Sequence, residues 1–147
     1  MTLWFDMDGT LGDLYAVEGW LDALRAFDPS PYAEAAVLHN MSQLARYLNK
    51  VQQLGWKLGI ISWLSRNSNI NYDEAVTNVK LAWLKKHLYS VNWDEIHIVS
   101  YGTPKENFMN DDNDILFDDE EKNRNNWHGQ AYKPDEIFTI LKSIAAS

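Results

Sequence analysis

Four short apolar runs, Thr2–Phe5, Lys57–Ser62, Glu95–Val99 and Asp114–Phe117, are separated by longer segments in which apolar residues recur every three or four positions. Short continuous runs of this kind read as buried strands, and the periodic segments between them read as helices with one apolar face. The first such segment, Asp13 to about Phe27, carries Leu14, Val17, Leu21, Leu24 and Phe27, a helix or helical hairpin ended by Pro29 and Pro31. The second, Leu38–Leu54, carries Met41, Leu44, Leu48 and Val51, with Gly55 placed as a C′ glycine. A polar loop over 65–71 leads to a third helix bearing Val76, Val79, Trp83, Leu84 and Leu88, and Asn71 with Glu74 predicts its cap. Gly129–Tyr132 reads as a short last strand, and Pro134–Ala146 as a final helix.

Strands alternating with helices require parallel crossovers, so the expected fold is α/β: an open, mostly parallel, Rossmann-like sheet with helices on both faces. One domain over residues 1–147 accommodates it. Ligands of such sheets bind beyond the C-terminal ends of the strands. That edge collects Asp6 and Asp8 after the first strand, Ser62 after the second, and Asp118–Asp119 after the fourth, and Lys105 past the third can join them.

Composition narrows the function classes. The formal charge of -8 and the lack of a Lys/Arg patch argue against a nucleic-acid polymer as partner. The chain has no cysteine, which excludes disulfides, thiolate zinc sites and a Cys nucleophile. No apolar run approaches the roughly 20 residues needed to span a bilayer, and Asp6 comes too early for a signal peptide, so a soluble cytoplasmic protein is expected. A homo-oligomer is compatible with the sequence. Seven Trp, seven Tyr and five Phe exceed what a pocket needs, so most are expected in the core.

The run Asp6-Met7-Asp8-Gly9-Thr10 taken alone is as well explained by an Asp-Gly turn as by a site. Two carboxylates one residue apart at a strand end, with a second acidic pair further on, form an all-oxygen cluster that repels itself without a hard cation. Magnesium suits those ligands. A hydroxyl, a lysine and the acidic pair at successive strand ends complete what phosphoryl transfer requires, since they neutralise and hold a phosphate during in-line attack.

Asp6-Met7-Asp8-Gly9-Thr10, Ser62, Lys105 and Asp118-Asp119, in that order, resemble the four motifs of the haloacid dehalogenase (HAD) superfamily. Within it, Ser62 through Trp83 and Val99-Ser100-Tyr101-Gly102-Thr103-Pro104-Lys105, leading to Ile115-Leu116-Phe117-Asp118-Asp119, resemble the 5′(3′)-deoxyribonucleotidase branch. The chain departs from that branch in being shorter and in carrying Thr10 and Ser62 where Val and Thr are expected.

The resemblance implies that Asp6 is the nucleophile and forms an aspartyl-phosphate, and that Asp8 is general acid and then base. Met7 and Asp8 amides, the Ser62 hydroxyl, Trp63 and Lys105 would hold the phosphate. Magnesium would be bound by Asp6, the Asp8 carbonyl and Asp119, with Asp118 supporting or binding through water. Asp8 favours hydrolysis, because a transferase or dehalogenase would need no acid there. The expected activity is that of a 5′-nucleotidase acting on nucleoside monophosphates.

Some assignments have rivals. Lys105 could be a surface lysine, Ser65 competes with Ser62, and Asp111, Asp112 and Asp114 read as a solvated acidic loop. His39, His87, His97 and His128 lack metal spacing and read as structural or surface residues. Only about 15–37 leaves room for a cap, a small helical lid. Tyr15, Trp20 and Trp63 are candidates to face a nucleobase, with Phe27 and Tyr32 behind them. Other readings are a phosphatase for a sugar phosphate or other small monoester, a non-catalytic phosphate-binding protein, and a receiver-like module, whose phosphorylated Asp would follow a middle strand.

Overall fold

Every residue of the first strand, β1 (Thr2–Phe5), is buried, which places it at the centre of the sheet. The computed structural model describes residues 1–147. β1 pairs in parallel with β4 (Lys57–Trp63) on one side and β6 (Ile115–Phe117) on the other. β5 (Glu95–Val99) and β7 (Gln130–Tyr132) form the parallel edges, giving the order β5-β4-β1-β6-β7. This is the α/β sheet that the alternation of strands and helices predicts. β4 runs one residue beyond Ser62, β6 begins one residue after Asp114, and β7 one after Gly129.

Alternate residues of β1 serve different layers. Leu3 and Phe5 join Leu58, Ile60 and Phe117 beneath the helices α3 (Met41–Gln53), α4 (Ile70–His87) and α6 (Ile137–Ala145), which contribute Leu44, Leu48, Val51, Trp83, Leu84, Ile137 and Leu141. Trp4 points the other way and packs with Ile61, Leu116 and Trp127. That face is covered by the 3₁₀ turn Lys105–Phe108 and by α5 (Glu121–Asn126), which ends at Trp127. Gly59, opposite Trp4 in register, leaves the space the indole fills; a methyl there would overlap the ring.

The predicted helix over Asp13–Phe27 is not formed. Its place is taken by β2 (Gly12–Asp13), a 3₁₀ turn at Leu14–Ala16 and the short helix α1 (Trp20–Arg25). Gly19, at φ 74°, interrupts the chain in a conformation few other residues adopt. Of the predicted apolar stripe only Leu14 is buried, while Leu21 and Phe27 are 42% and 49% exposed, so these residues do not face the main core. A second short helix, α2 (Ser30–Glu34), follows, and β3 (Ala36–Val37) returns to pair antiparallel with β2. Leu14 and Tyr32 of this excursion pack on Leu64, Tyr72 and Val76, which anchors it over the strand ends.

Helix starts also differ from expectation. α3 begins at Met41, because the Asn40 side chain caps Gln43 N–H at 3.1 Å while Leu38 N–H bonds the Leu11 carbonyl. α4 is capped by Asn69, whose side chain accepts from Tyr72 N–H at 2.9 Å, rather than by Asn71. Gly55 does follow the end of α3 with φ 107°. No helix is long and apolar enough to cross a membrane.

Candidate active site

Asp6 follows β1 directly, at the carboxyl edge of the sheet, and is 7% exposed. Its Oδ1 accepts from Lys105 Nζ at 2.9 Å and its Oδ2 from the Thr10 hydroxyl at 3.0 Å. The chain then turns tightly: Thr10, Leu11 and Gly12 N–H all bond the Met7 carbonyl, and Gly9 N–H bonds Gly12 O. Met7 and Asp8 N–H take no partner in this turn, which leaves two donors at a strand end. Gly9 adopts φ 82°, and Asp119 lies so close that a methyl at Gly9 would overlap its carboxylate.

Asp118 and Asp119 follow β6 as expected, but they sit in different surroundings. Asp118 is fully buried, and Lys105 Nζ donates to its Oδ2 at 2.7 Å, joined by Asn123 Nδ2 at 3.1 Å. Its Oδ1 accepts from Glu120 N–H at 2.9 Å. Asp119 is only partly buried, and the Thr10 hydroxyl, 3.4 Å away, is its one hydrogen-bond donor. Burial and the negative charge of Asp6 push the Asp118 pKa up to about 6, although Lys105 opposes this, and push Asp119 up to about 8. Burial acts to lower the Lys105 pKa, but Asp6 and Asp118 outweigh it and hold the ammonium charged.

Asp6, Asp118 and Asp119 each offer a carboxylate oxygen within 4.8 Å of the others. An all-oxygen set in which the charge of Asp6 helps raise the pKa of both Asp118 and Asp119 suits a hard divalent cation such as magnesium. Asp119 has the more available oxygens, since both of Asp118 are engaged.

Asp8, two residues past Asp6, places Oδ2 3.0 Å from Lys80 Nζ. Burial raises its pKa, with Lys80 acting against the shift. Lys80 is a residue that sequence reasoning missed. It is 1% exposed and also donates to Ser62 Oγ at 2.7 Å and the Trp63 carbonyl at 2.8 Å. The available signal was its position on the apolar face of α4, four residues from both Val76 and Leu84. Asn123 was missed as well, and no pattern in α5 marks it.

Beside these groups lies a cavity of about 240 Å³, lined by Asp6, Asp8, Lys105 and Asp118 at one end. Tyr15 and Trp20 contribute one ring pair, with centroids 5.1 Å apart, and Trp63 and Tyr101 a second, also at 5.1 Å. Trp63 Nε1 donates to the Thr103 carbonyl at 2.8 Å, and Lys105 Nζ stands 5.4 Å from the Trp63 ring. Ser65 and Arg66 line the cavity too, whereas Ser62 is fully buried against Lys80 and does not. Of the two other aromatic candidates, Tyr32 lines the cavity and bonds Ser65 at 3.1 Å, and Phe27 packs edge-on against Tyr72.

The chain shares its fold with a solved phosphatase. Its structure is similar to that of D,D-heptose 1,7-bisphosphate phosphatase from Burkholderia thailandensis, with a TM-score of 0.50 at 12% identity. The match covers 84% of this chain and 69% of that one. No family model matches the sequence, and no curated protein does.

The acidic loop departs from expectation at Asp114, which is buried rather than solvated. It accepts from Thr2 N–H at 2.7 Å, Trp4 Nε1 at 3.0 Å and Asn110 N–H at 2.8 Å, and so holds the start of β6 to β1. Asp111 and Asp112 are exposed. The histidines stay outside the acidic cluster: His97 stacks on Phe108, His87 packs against Trp83, His39 meets the Thr10 carbonyl, and His128 is exposed.

Proposed function

We propose that this chain is a magnesium-dependent phosphomonoester hydrolase of the haloacid dehalogenase superfamily, with Asp6 as nucleophile and Asp8 as general acid and base. The observation that carries the reading is Asp6 at the end of the central strand, both oxygens held by Lys105 and Thr10, with Asp8 beside it on the wall of one cavity. The fold shared with a phosphatase agrees with it.

In the first half-reaction an Asp6 oxygen attacks phosphorus, the bond from phosphorus to the alcohol oxygen breaks, and the Asp8 carboxyl proton passes to that oxygen. The alcohol leaves and an acyl phosphate remains on Asp6. Asp8, now a carboxylate, then takes a proton from a water molecule whose oxygen attacks the same phosphorus. The bond to Asp6 breaks, inorganic phosphate leaves, and both aspartates return to their starting states. Lys105 offsets charge on Asp6 and the phosphate, and the Met7 and Asp8 amides bind phosphate oxygens. Asp6, Asp119 and the Asp8 carbonyl would hold magnesium, with Asp118 in support, and the ion would neutralise phosphate charge.

The ring pairs Tyr15–Trp20 and Trp63–Tyr101 favour a leaving group with a flat face, so the substrate class proposed is a nucleoside monophosphate. The excursion over 15–37 would act as its small cap. A sugar phosphate is the second reading, favoured by the likeness to a sugar bisphosphatase.

A phosphate-release assay over nucleoside monophosphates and sugar phosphates, with and without Mg²⁺ and beside Asp6→Asn, tests both. Mg²⁺-dependent release lost in Asp6→Asn is expected, with nucleotides preferred. Preference for sugar phosphates selects the second reading. Retained metal binding without turnover of any monoester would make the chain a binding protein or receiver-like module.

A further inference from the structure

We propose that Lys80 is a positioning residue that holds Asp8 for proton transfer to the leaving group, an inference that rests on the hydrolase reading above. Lys80 lies on the buried face of α4, with its head group inside the protein. A buried ammonium is very costly unless its three N–H groups are paired. Asp8 Oδ2, Ser62 Oγ and the Trp63 carbonyl pair all three, at 3.0, 2.7 and 2.8 Å. The Tyr32 ring covers the head group at 4.9 Å.

With every proton committed, Lys80 has no donor left for a ligand, unlike Lys105 on the cavity wall. Its bonds instead join α4, the end of β4 and the turn after β1. Asp8 sits on that turn, and Lys80 is the side chain that fixes its carboxylate. Oδ1 of Asp8 has no partner within the chain, so the proton to be transferred belongs on Oδ1 while Lys80 occupies Oδ2. Loss of Lys80 would leave the acid free to rotate and Ser62 without its partner.

The consequence depends on the leaving group. An alkoxide needs a proton as it departs, whereas a dinitrophenolate leaves as a stable anion. The ratio kcat/KM covers events up to phosphoryl transfer to Asp6 and excludes the later hydrolysis. The test therefore compares kcat/KM for an alkyl phosphate and for 2,4-dinitrophenyl phosphate in wild type, Lys80→Met, Lys80→Gln, Lys80→Arg and Asp8→Asn.

In Lys80→Met and Lys80→Gln the alkyl phosphate should lose about 100-fold and the dinitrophenyl ester less than about tenfold, the pattern Asp8→Asn also gives. Adding Lys80→Met to Asp8→Asn should produce no further selective loss. Should the uncharged variants not fold, Lys80→Arg, which keeps the charge on a differently shaped head, is read in the same comparison, and its loss should again fall on the alkyl ester. Equal losses on both esters in any folded variant would overturn the proposal. Wild type that hydrolyses neither ester overturns the hydrolase reading along with it, whereas an active wild type with equal losses overturns the Lys80 inference alone.

Discussion

Lys105 Nζ stands 2.9 Å from Asp6 Oδ1, 99 positions away in sequence, and 2.7 Å from Asp118 Oδ2, and so bridges the ends of two adjacent strands. All three residues are buried, so water cannot take over from a missing cation. Lys105→Met should therefore destabilise the protein by about 3–5 kcal/mol, the usual cost of orphaning a buried charge. It should also slow phosphate release at least about 100-fold. Urea unfolding and the release assay measure the two effects, and an unchanged unfolding midpoint would contradict the first.

Without metal, stability should depend on pH through the acidic pair. Asp118 rises from 3.8 to about 6 and Asp119 from 3.8 to about 8. A carboxylate with a raised folded-state pKa supports the fold fully below its unfolded pKa, and the support is lost as pH rises through the folded value. The Tm of chelated protein should thus fall from about pH 4 to about pH 8 because of this pair. Asp119→Asn should flatten the upper half of that fall, and Mg²⁺ should raise Tm most near pH 8. Identical pH profiles for wild type and Asp119→Asn would show that Asp119 carries no such shift.

Gly9→Ala should impair the site through geometry alone. Alanine at φ 82° costs about 1–2 kcal/mol, and its methyl would displace the Asp119 carboxylate. A higher Mg²⁺ concentration for half-maximal phosphate release is expected, together with a modest loss in urea stability. Unaltered magnesium dependence would mean that Asp119 does not bind the ion.

Asp114 belongs to the fold and not to the chemistry. Asp114→Ala orphans the Trp4 indole N–H and the Thr2 amide, at about 1–3 kcal/mol each. Stability in urea should fall by several kcal/mol, with kcat per folded molecule unchanged. A selective drop in kcat would place Asp114 in the catalytic machinery.

These contrasts also separate what the sequence alone makes legible from what only the folded chain reveals. Strand runs such as Thr2–Phe5 were legible because burial on both faces leaves a continuous apolar signature, and their order placed Asp6, Asp8, Lys105 and Asp118–Asp119 on one edge. Asp114 was misread because an acidic loop looks alike whether its carboxylate meets water or an indole 110 positions away. Lys80 was overlooked because its partners, Asp8 and Ser62, lie 72 and 18 residues distant, and only its place in an apolar stripe hinted at burial. The stripe from Leu14 to Phe27 misled for the opposite reason: Leu14 and Leu24 line the cavity, Leu21 and Phe27 are exposed rather than facing the main core, and Gly19 breaks the period.

The most direct test of Asp6 as nucleophile is to quench the protein in acid during turnover of 2,4-dinitrophenyl phosphate with Mg²⁺ and to map the trapped phosphoryl group by mass spectrometry. One phosphoryl group on the peptide containing Asp6, absent from Asp6→Asn, is the predicted result. Turnover with no phosphorylated peptide, or with the group on any other residue, would contradict it.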